Sequence, residues 1–356
     1  MEYKIITTIE DFTALKTDWQ RMENQSHDVT IFSTFDYCYT WWEVYQHKPE
    51  LKLWIIIVLH NNQIAGIAPF IIERRNYRLG LKIDVLRFIA DGDYHDILIN
   101  IDLNINPDSI FKDIFSIIEE NGSSWDYLHL SHINYKSPFS NFLFKSKYNK
   151  HFTYLIESPY INLSLYDSFD SFSKINAPSK AKQYVSRLRN KINYELELNS
   201  TDIELFSQIH KKERDFLQNK GNLYRHSLYE DKNKVAFINE LASLNKITSF
   251  SLISKEDNKL LIYNWGFIKD NIYYSVNTAF DPSYSEFSLG RVMYYEMLKL
   301  AKDKNLFSVM DTGTGRYPWK FEWTSDFNIL YQIQIKKPRS FIHKSILNIK
   351  AIFFNK

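Results

Sequence analysis

The spacing of apolar and polar residues in the first half of the chain predicts a mixture of helices and strands. Apolar positions recur every three or four residues in some segments, which is typical of helices, and form short runs in others, which is typical of buried strands. His60-Asn61-Asn62 has the composition of a hairpin turn. In chain order the pattern predicts helices at 10–22 and 35–45, strands at 53–60, 63–75, 83–89 and 96–99, a helix at 107–120 and a strand at 125–130.

The second half repeats this order of elements after a crossover near residues 150–165. The similarity concerns element order and not residue identity, and it predicts two α+β domains of one architecture. We expect domains at 1–165 and 166–335, followed by a tail at 336–356. The pattern predicts helices at 179–194, 201–219 and 231–243, strands at 248–254, 260–268 and 272–278, a helix at 288–302 and a strand at 306–311.

Length, net charge and cysteine content exclude several classes of protein. A chain of 356 residues is long enough for two domains. Its formal net charge of +2 disfavours a globally basic nucleic-acid binder. The presence of a single cysteine, Cys38, excludes an intrachain disulfide and indicates a reducing compartment. Its aromatic surroundings predict a buried thiol. No basic and apolar leader opens the sequence and no apolar run reaches the length of a membrane span, so we expect a cytoplasmic protein.

One segment of the second half predicts an anion site. It opens a helix at Ser288-Leu289-Gly290-Arg291, and the first backbone N–H groups of a helix have no carbonyl one turn earlier. Such a start can bind phosphate, with Arg291 adding a charge-assisted contact. It can equally be an ordinary turn with Ser288 as N-cap and Arg291 paired with Glu286 or another surface acid.

Short signatures in both halves resemble those of one known family. In the N-terminal half they are Phe32-Ser33 to Trp41-Trp42, Gly66-Ile67-Ala68-Pro69-Phe70 and Asp91-Gly92-Asp93-Tyr94-His95-Asp96. In the C-terminal half they are Asp281-Pro282-Ser283-Tyr284, Ser288-Leu289-Gly290-Arg291, Asp311-Thr312-Gly313-Thr314-Gly315 and Trp319-Lys320-Phe321-Glu322-Trp323. The chain therefore resembles the bacterial acetyltransferase-like family typified by cellulose-biosynthesis proteins. That family belongs to the GNAT superfamily and is similar to the Fem-type aminoacyltransferases.

The resemblance implies a tandem pair of GNAT-like domains, each a mixed, mostly antiparallel twisted sheet flanked by helices. It implies an N-acyltransferase that takes acyl-CoA, most simply acetyl-CoA, and an amino sugar or similar amine in bacterial surface-polysaccharide synthesis. The donor would bind at Ser288, Leu289, Gly290 and Arg291, although Leu289 stands where the family usually has proline. Two alternatives stay open: a Fem-type aminoacyl-tRNA-dependent transferase, and a non-catalytic assembly factor.

Acyl transfer to an amine needs a base for the ammonium and a donor to the developing negative charge. Asp311 ends an apolar strand before two glycines, so it is a candidate base, or else it caps the following turn. Tyr317 and Lys320 follow closely and are candidates for stabilising charge. His226, in the loop between two predicted helices, is a further candidate base or an ordinary surface residue.

The densest polar cluster of the N-terminal half is Asp93, Tyr94, His95 and Asp96. Asp93, Tyr94 and Asp96 are candidates for binding the acceptor, and the alternative is an exposed acidic turn. One histidine beside acids lacks the spacing of metal ligands, so we expect no metal. The acyl donor is the expected cofactor.

Two basic segments of the chain are candidates for contacts with other molecules. The predicted helix 179–194 carries five cations, and a solvated face is favoured over a nucleic-acid site because acids follow at once. The tail from Lys336 to Lys356 is basic and amphipathic, which suits either a membrane surface and polysaccharide-synthesis machinery or packing on its own domain.

Overall fold

The computed structural model describes residues 2–26, 29–76, 82–223 and 226–337. The chain divides into two compact units. The first comprises the chain up to Ile156 together with the C-terminal segment from Asn328, and the second runs from Glu157 to Phe327. Residues 328–335, expected in the C-terminal domain, therefore belong to the first unit. Beyond Lys337 the predicted basic tail lies outside the described residues.

The elements of the first unit are largely those that the apolar pattern predicts. They are β1 (Glu2–Ile6), α1 (Ile9–Ala14), α2 (Lys16–Gln25), α3 (Phe35–Tyr45), β2 (Leu51–Leu53), β3 (Ile55–His60), β4 (Gln63–Ala68), β5 (Phe70–Asn76), β6 (Lys82–Phe88), β7 (Leu98–Ile99), α4 (Pro107–Glu120), β8 (Tyr127–Asn134), α5 (Pro138–Lys145) and the last strand of the chain, Phe327–Lys336.

Two sheets form the framework of this unit. One is antiparallel, with strand order β1-β3-β4-β7. The other is mixed: β2, β5 and β6 pair antiparallel, β6 pairs parallel with β8, and β8 pairs antiparallel with strand Phe327–Lys336. Helix α4 packs on β3 and β4 through one apolar face that includes Ile110 and Ile114, both fully buried.

The second unit contains eleven α-helices and β-strands among the described residues. They are β9 (Phe152–Asn162), whose last residues lie in this unit, α6 (Phe169–Asn176), α7 (Ala181–Arg189), β10 (Tyr194–Leu198), α8 (Ile203–Asn219), α9 (Lys232–Ser243), β11 (Thr248–Ser254), β12 (Leu260–Lys269), β13 (Ile272–Phe280), α10 (Leu289–Lys304) and β14 (Val309–Asp311), and the strand Phe327–Lys336 is accordingly β15.

The sheet of this unit follows the order β10-β11-β12-β13-β14-β9. All neighbours are antiparallel except β13 and β14, which are parallel because α10 crosses between them. Helix α8 packs on β12 and β13, and α10 packs on β12 and α7. A bulge in β13 opposite Trp265 and Gly266 brings its backbone so close that a Cβ at position 266 would collide with the carbonyl of Tyr274.

Several sequence predictions need correction. The helix predicted at 10–22 is two helices, α1 and α2, and the basic helix predicted at 179–194 ends at Arg189. Cys38 is buried as predicted, and burial raises the pKa of its thiol well above the usual value. Within the described residues, no helix has the length and apolar character needed to span a membrane.

Candidate active site

The predicted donor segment forms the first turn of α10. Ser288 adopts a left-handed backbone conformation with φ of 52°, and its side chain caps no N–H. Its carbonyl accepts hydrogen bonds from the N–H groups of Arg291 at 2.9 Å and Val292 at 3.3 Å. The N–H groups of Leu289 and Gly290 come at the very start of the helix, where no helical carbonyl can accept from them, so they can donate to a ligand. The side chain of Leu289 is buried in the core, which explains an apolar residue at the first helical position.

This first turn opens onto a cavity of about 180 Å³. Gly290 is exposed, and a Cβ at this position would meet no atom within 4 Å. The walls come from the end of β13, the connection to α10, the helix start and two tryptophans of the following loop: Phe280, Ser285, Ser288, Leu289, Gly290, Arg291, Trp319 and Trp323. The four predicted donor residues thus share one cavity.

Arg291 is engaged by the protein. Its Nε and Nη2 atoms donate to both carboxylate oxygens of Glu322, at 2.8 and 2.6 Å. Hydrogen bonding to Glu322 raises the pKa of Arg291 further above its usual value. Glu286, considered from the sequence as its partner, instead pairs with Arg187 at 3.0 Å. The loop that returns Glu322 to the helix start is a tertiary feature that sequence proximity does not indicate.

An unpaired strand edge lies between α10 and the loop that follows β14. In the part of the chain that the structure describes, β14 pairs with β13 only from Ile272↔Val309 to Tyr274↔Asp311. Residues 275–280 of β13 continue beyond this point with β12 as their only strand neighbour. On the other side, the Phe280 N–H donates to Glu213 Oε1 at 3.3 Å, and residues 275–279 have no strand neighbour among the described residues.

Asp311 and Lys320 both form hydrogen bonds with the backbone of the loop that follows β14. Asp311 is buried, and its Oδ1 atom accepts hydrogen bonds from Ser158 Oγ and from Gly313 N–H, both at 2.8 Å. Lys320 is also buried, and its Nζ atom donates to the carbonyls of Gly313 at 2.6 Å and Thr314 at 3.0 Å. The structure therefore brings both predicted residues into one cluster around the two glycines.

Two aromatic rings of the same loop face solvent. Tyr317 is 56% exposed and Trp319 is 39% exposed. Lys320 Nζ lies 5.3 Å from the ring centroid of Tyr317 and 5.8 Å from that of Trp319, which is cation–π distance. Since Trp319 lines the cavity, the buried ammonium also fixes one of its walls.

Sequence reasoning missed a polar cluster between α8 and the sheet. The Tyr229 hydroxyl accepts from Trp265 Nε1 at 2.9 Å, and the Tyr263 hydroxyl donates to Asn277 Oδ1 at 2.6 Å. Burial raises the pKa of Tyr229 to about 12. His226, the predicted histidine of this region, is exposed and does not line the cavity. The aromatic strand residues gave no sequence signal because buried tyrosines are ordinarily core residues.

The predicted acceptor residues of the N-terminal half lie in the first unit. Tyr94 and Asp96 are buried and Asp93 is half-buried, so the cluster is not the exposed acidic turn considered as an alternative. The Tyr94 hydroxyl accepts from Asn328 Nδ2 at 3.1 Å, and Asp96 N–H donates to Ser33 Oγ at 3.1 Å. The signature segments around residues 32–42 and 91–96 therefore contact each other.

His95 adds a buried titratable group to this cluster. Its ring stacks on Phe88 with centroids 5.1 Å apart. Burial, followed by the neighbouring His132, lowers the pKa of His95 well below its usual value. Across the described ranges, no group of three or more His, Cys, Asp or Glu side chains is arranged to hold a metal ion.

Part of the chain is similar to a known protein family. Residues 179–321, which include α7 to β14 and the candidate site, match the family described as Acetyltransferase (GNAT) domain. No curated protein sequence matches the chain. The matched residues all lie in the second unit.

Solved structures resemble the whole chain in fold. FemX is 10% identical with a TM-score of 0.61, over 93% of this chain and 97% of its own. A conserved protein of unknown function from Bacteroides thetaiotaomicron VPI-5482 is 9% identical with a TM-score of 0.56, over 94% and 100%. L-PGS from Bacillus licheniformis is 8% identical with a TM-score of 0.54, over 96% and 97%. The predicted fold class, GNAT-like with a mixed sheet flanked by helices, is confirmed.

Proposed function

We propose that this protein is an acyl-CoA-dependent N-acyltransferase that acetylates an amino sugar or a similar amine in bacterial surface-polysaccharide synthesis. The observation that carries the proposal is the uncapped first turn of α10, which opens onto a cavity within the residues that match an acetyltransferase domain. A small-molecule acyl donor and an amine acceptor are the substrates that this domain class implies. The acetyl group and the polysaccharide role are parts of the proposal.

The residues at the helix start fit a phosphorylated donor. The N–H groups of Leu289 and Gly290 point from a positive helix end, and the missing side chain at position 290 leaves room for a phosphate to approach the backbone. Arg291, held by Glu322, retains further N–H donors beyond the two used in that pair. Bound acyl-CoA would supply the activated acyl group as a thioester.

The remaining residues are assigned roles by what they already contact. The edge of β13 at 275–279 offers backbone donors to the acyl oxygen. Asp311 and Lys320 hold the loop, and their existing hydrogen bonds support positioning roles. Tyr317 has an exposed hydroxyl and is the candidate donor to the leaving group. Asp311 as general base stays a prediction, as do His226 as a second base and Asp93, Tyr94 and Asp96 as acceptor ligands.

The principal rival is an aminoacyl-tRNA donor, as in the Fem-type hypothesis. Two cations of α7 are already neutralised, because Arg187 pairs with Glu286 and Arg189 pairs with Glu296. This reduces the positive surface that a long nucleic acid needs, which favours CoA. A non-catalytic assembly factor would need no intact donor cavity.

The test combines binding with turnover. We expect acetyl-CoA to raise the melting temperature of the full chain, and amino sugars to release free thiol from acetyl-CoA only when enzyme is present. A parallel arm measures aminoacyl-tRNA binding at low salt. Stabilisation by no acyl-CoA together with salt-sensitive tRNA binding would replace this proposal by the Fem-type one. Failure of both arms would favour the assembly factor.

A further inference from the structure

A second cavity, of about 550 Å³, lies wholly within the first unit. It sits beside β2, the edge strand of the mixed sheet, and its volume is in the range of small-molecule sites, roughly 300–1,000 Å³. None of its residues belongs to the acyltransferase site described above. Its walls combine cations, hydroxyl groups and tryptophans, and the residues that matter are Trp42, Lys52, Trp54, Arg74, Ser123 and Ser124.

Sheet register gathers the charged residues on one face. Lys52 lies opposite Ile72, and Arg74 lies opposite Asp84. Ile72 and Arg74 are two residues apart on β5, so their side chains point the same way, as do those of directly opposed residues. Lys52, Arg74 and Asp84 therefore share the face that lines the cavity.

Arg74 is fixed in place by a buried acid. Its Nε and Nη2 atoms donate to Asp84 Oδ1 at 2.9 Å and Oδ2 at 3.1 Å. Asp84 is itself anchored, because its N–H donates to Asp126 Oδ2 at 2.9 Å and its carbonyl accepts from Asp126 N–H at 2.8 Å. The guanidinium has five N–H groups, so three remain for a ligand in a preorganised position.

The balance of charge in the walls is positive. Asp84 neutralises Arg74, whereas Lys52 forms no ion pair with any described residue. Lys52 is exposed at the edge strand, where an incoming anion can reach its ammonium group. Ser123 and Ser124 add hydroxyl groups, which hydrogen-bond equally well to ligand hydroxyls.

The other walls are apolar and aromatic. Trp42 and Trp54 line the cavity together with Leu53, and all three are more than nine-tenths buried. The rigid tryptophan rings give the cavity a fixed apolar wall, which suits the apolar face of a ligand's ring. A bare inorganic anion would leave this wall uncovered, and a hydrocarbon would leave Lys52 and the serines unused.

We propose that this cavity binds a small hydroxylated organic anion, a sugar acid or a sugar phosphate. Its anionic group would lie between Lys52 and Arg74, its hydroxyls would reach Ser123 and Ser124, and its ring would lie against the tryptophans. The site is independent of the acyl-donor site, so either one can fail its test without affecting the other.

The test is isothermal titration calorimetry of the full chain at low salt with glucuronate, glucose 6-phosphate, neutral glucose and inorganic phosphate. We expect both anionic sugars to bind, and Lys52→Gln to weaken them about tenfold, since one charge-assisted contact is lost. Lys112→Gln, which removes an exposed lysine on α4, is the matched control and should change nothing. Ser123→Trp should obstruct the cavity mouth without touching the core, and should abolish binding while the melting temperature stays constant.

Three results would overturn the proposal. Neutral glucose binding as tightly as the anionic sugars would remove the role of Lys52 and Arg74. Inorganic phosphate binding as tightly as glucose 6-phosphate would remove the role of the hydroxyl and aromatic walls. Neither anionic sugar binding at about 10 mM would remove the site, because a specific pocket of this size should reach at least millimolar affinity.

Discussion

The two units place a helix at the same point of their element order, but the two helix starts differ. Helix α4 precedes β8, and α10 precedes β14, and each of these strands is paired parallel to an earlier one. In α4, Asn106 accepts a hydrogen bond from Asp108 N–H, and Pro107 and Asp108 fill the first two helical positions. In α10, Ser288 caps nothing, and Leu289 and Gly290 fill those positions without an acid.

The difference shows that one order of elements can contain a helix start with a side-chain cap or one without it. Asn106 and Asp108 satisfy the positive end of α4 from within the chain. The start of α10 leaves its first N–H groups to an outside ligand and keeps the space above Gly290 open. The residues that match an acetyltransferase domain, 179–321, lie in the second unit.

The largest expected effect comes from giving α10 the acid that α4 already has. Gly290→Asp places a carboxylate where the donor phosphate is proposed to bind, and we expect acetyl-CoA affinity to fall about 100-fold, or about 2.7 kcal/mol. The fold should tolerate the change, because a side chain at position 290 meets open space. Calorimetric titration with acetyl-CoA measures the loss.

Two control variants sharpen this comparison. Gly290→Ala should keep donor affinity within about threefold, since a methyl group adds no charge. The reciprocal Asp108→Gly, in the first unit, should leave donor affinity unchanged. A loss of donor affinity in Asp108→Gly equal to that in Gly290→Asp would contradict the assignment of the donor to α10.

Removing the buried ammonium of the second unit should have the next largest effect. Lys320→Met keeps the length of the side chain but leaves the carbonyls of Gly313 and Thr314 without this donor. We expect a loss of about 2–3 kcal/mol in the free energy of unfolding. Urea unfolding measures it, and an unchanged midpoint would show that Lys320 does not hold the loop.

The buried histidine of the first unit predicts a dependence of stability on pH. The pKa of His95 is lowered in the folded state, so the unfolded chain binds a proton first as pH falls below about 6.5. Stability from this source is complete above that pH and declines as the pH falls below it. We expect the slope to be shallower in His95→Gln.

The control for this pH effect is His47→Gln, which replaces an exposed histidine of the same unit. Its unfolding curves between pH 7.5 and 5.5, taken as roughly one unit to either side of the free histidine pKa, should follow those of the unmodified protein. Identical slopes for His95→Gln and His47→Gln would exclude His95 as the source.

The smallest expected effect comes from truncating the side chain at the N-cap position of each helix, Asn106 in α4 and Ser288 in α10. Asn106→Ala should cost about 1 kcal/mol of unfolding free energy, because it removes a side-chain cap. Ser288→Ala should cost at most a few tenths, because its hydroxyl caps no N–H. Equal losses in thermal unfolding would show that the two helix starts are capped alike.

Local patterns predicted the elements well and their long-range partners poorly. Helix α4 has the predicted bounds, Pro107–Glu120. Its beginning is marked in the sequence because Asn106-Pro107-Asp108 is a strong helix start signal. The final strand, Phe327–Lys336, escaped prediction although its apolar residues alternate, and its pairing with β8 joins segments about 200 residues apart. No local signal indicates that this strand returns to the first unit.

The candidate site shows the same limit. The helix start and Asp311 stand out in the sequence because the chain has only nine glycines, and both segments contain glycine close to a polar residue. Ser158 and Glu322, which hold Asp311 and Arg291, do not stand out, because their roles arise only when β9 and the 317–323 loop are folded against those residues. Residues that stabilise a site from distant segments of the chain can be identified only from the structure.

The most direct test of the account is hydrogen–deuterium exchange of the full chain with and without acetyl-CoA. Amides at 288–291 should exchange more slowly when acetyl-CoA is bound, while amides at 106–109, at the start of α4, should exchange at the same rate in both samples. Protection at 106–109, or none at 288–291 under saturating acetyl-CoA, would contradict the claim that the uncapped start of α10 is the donor site.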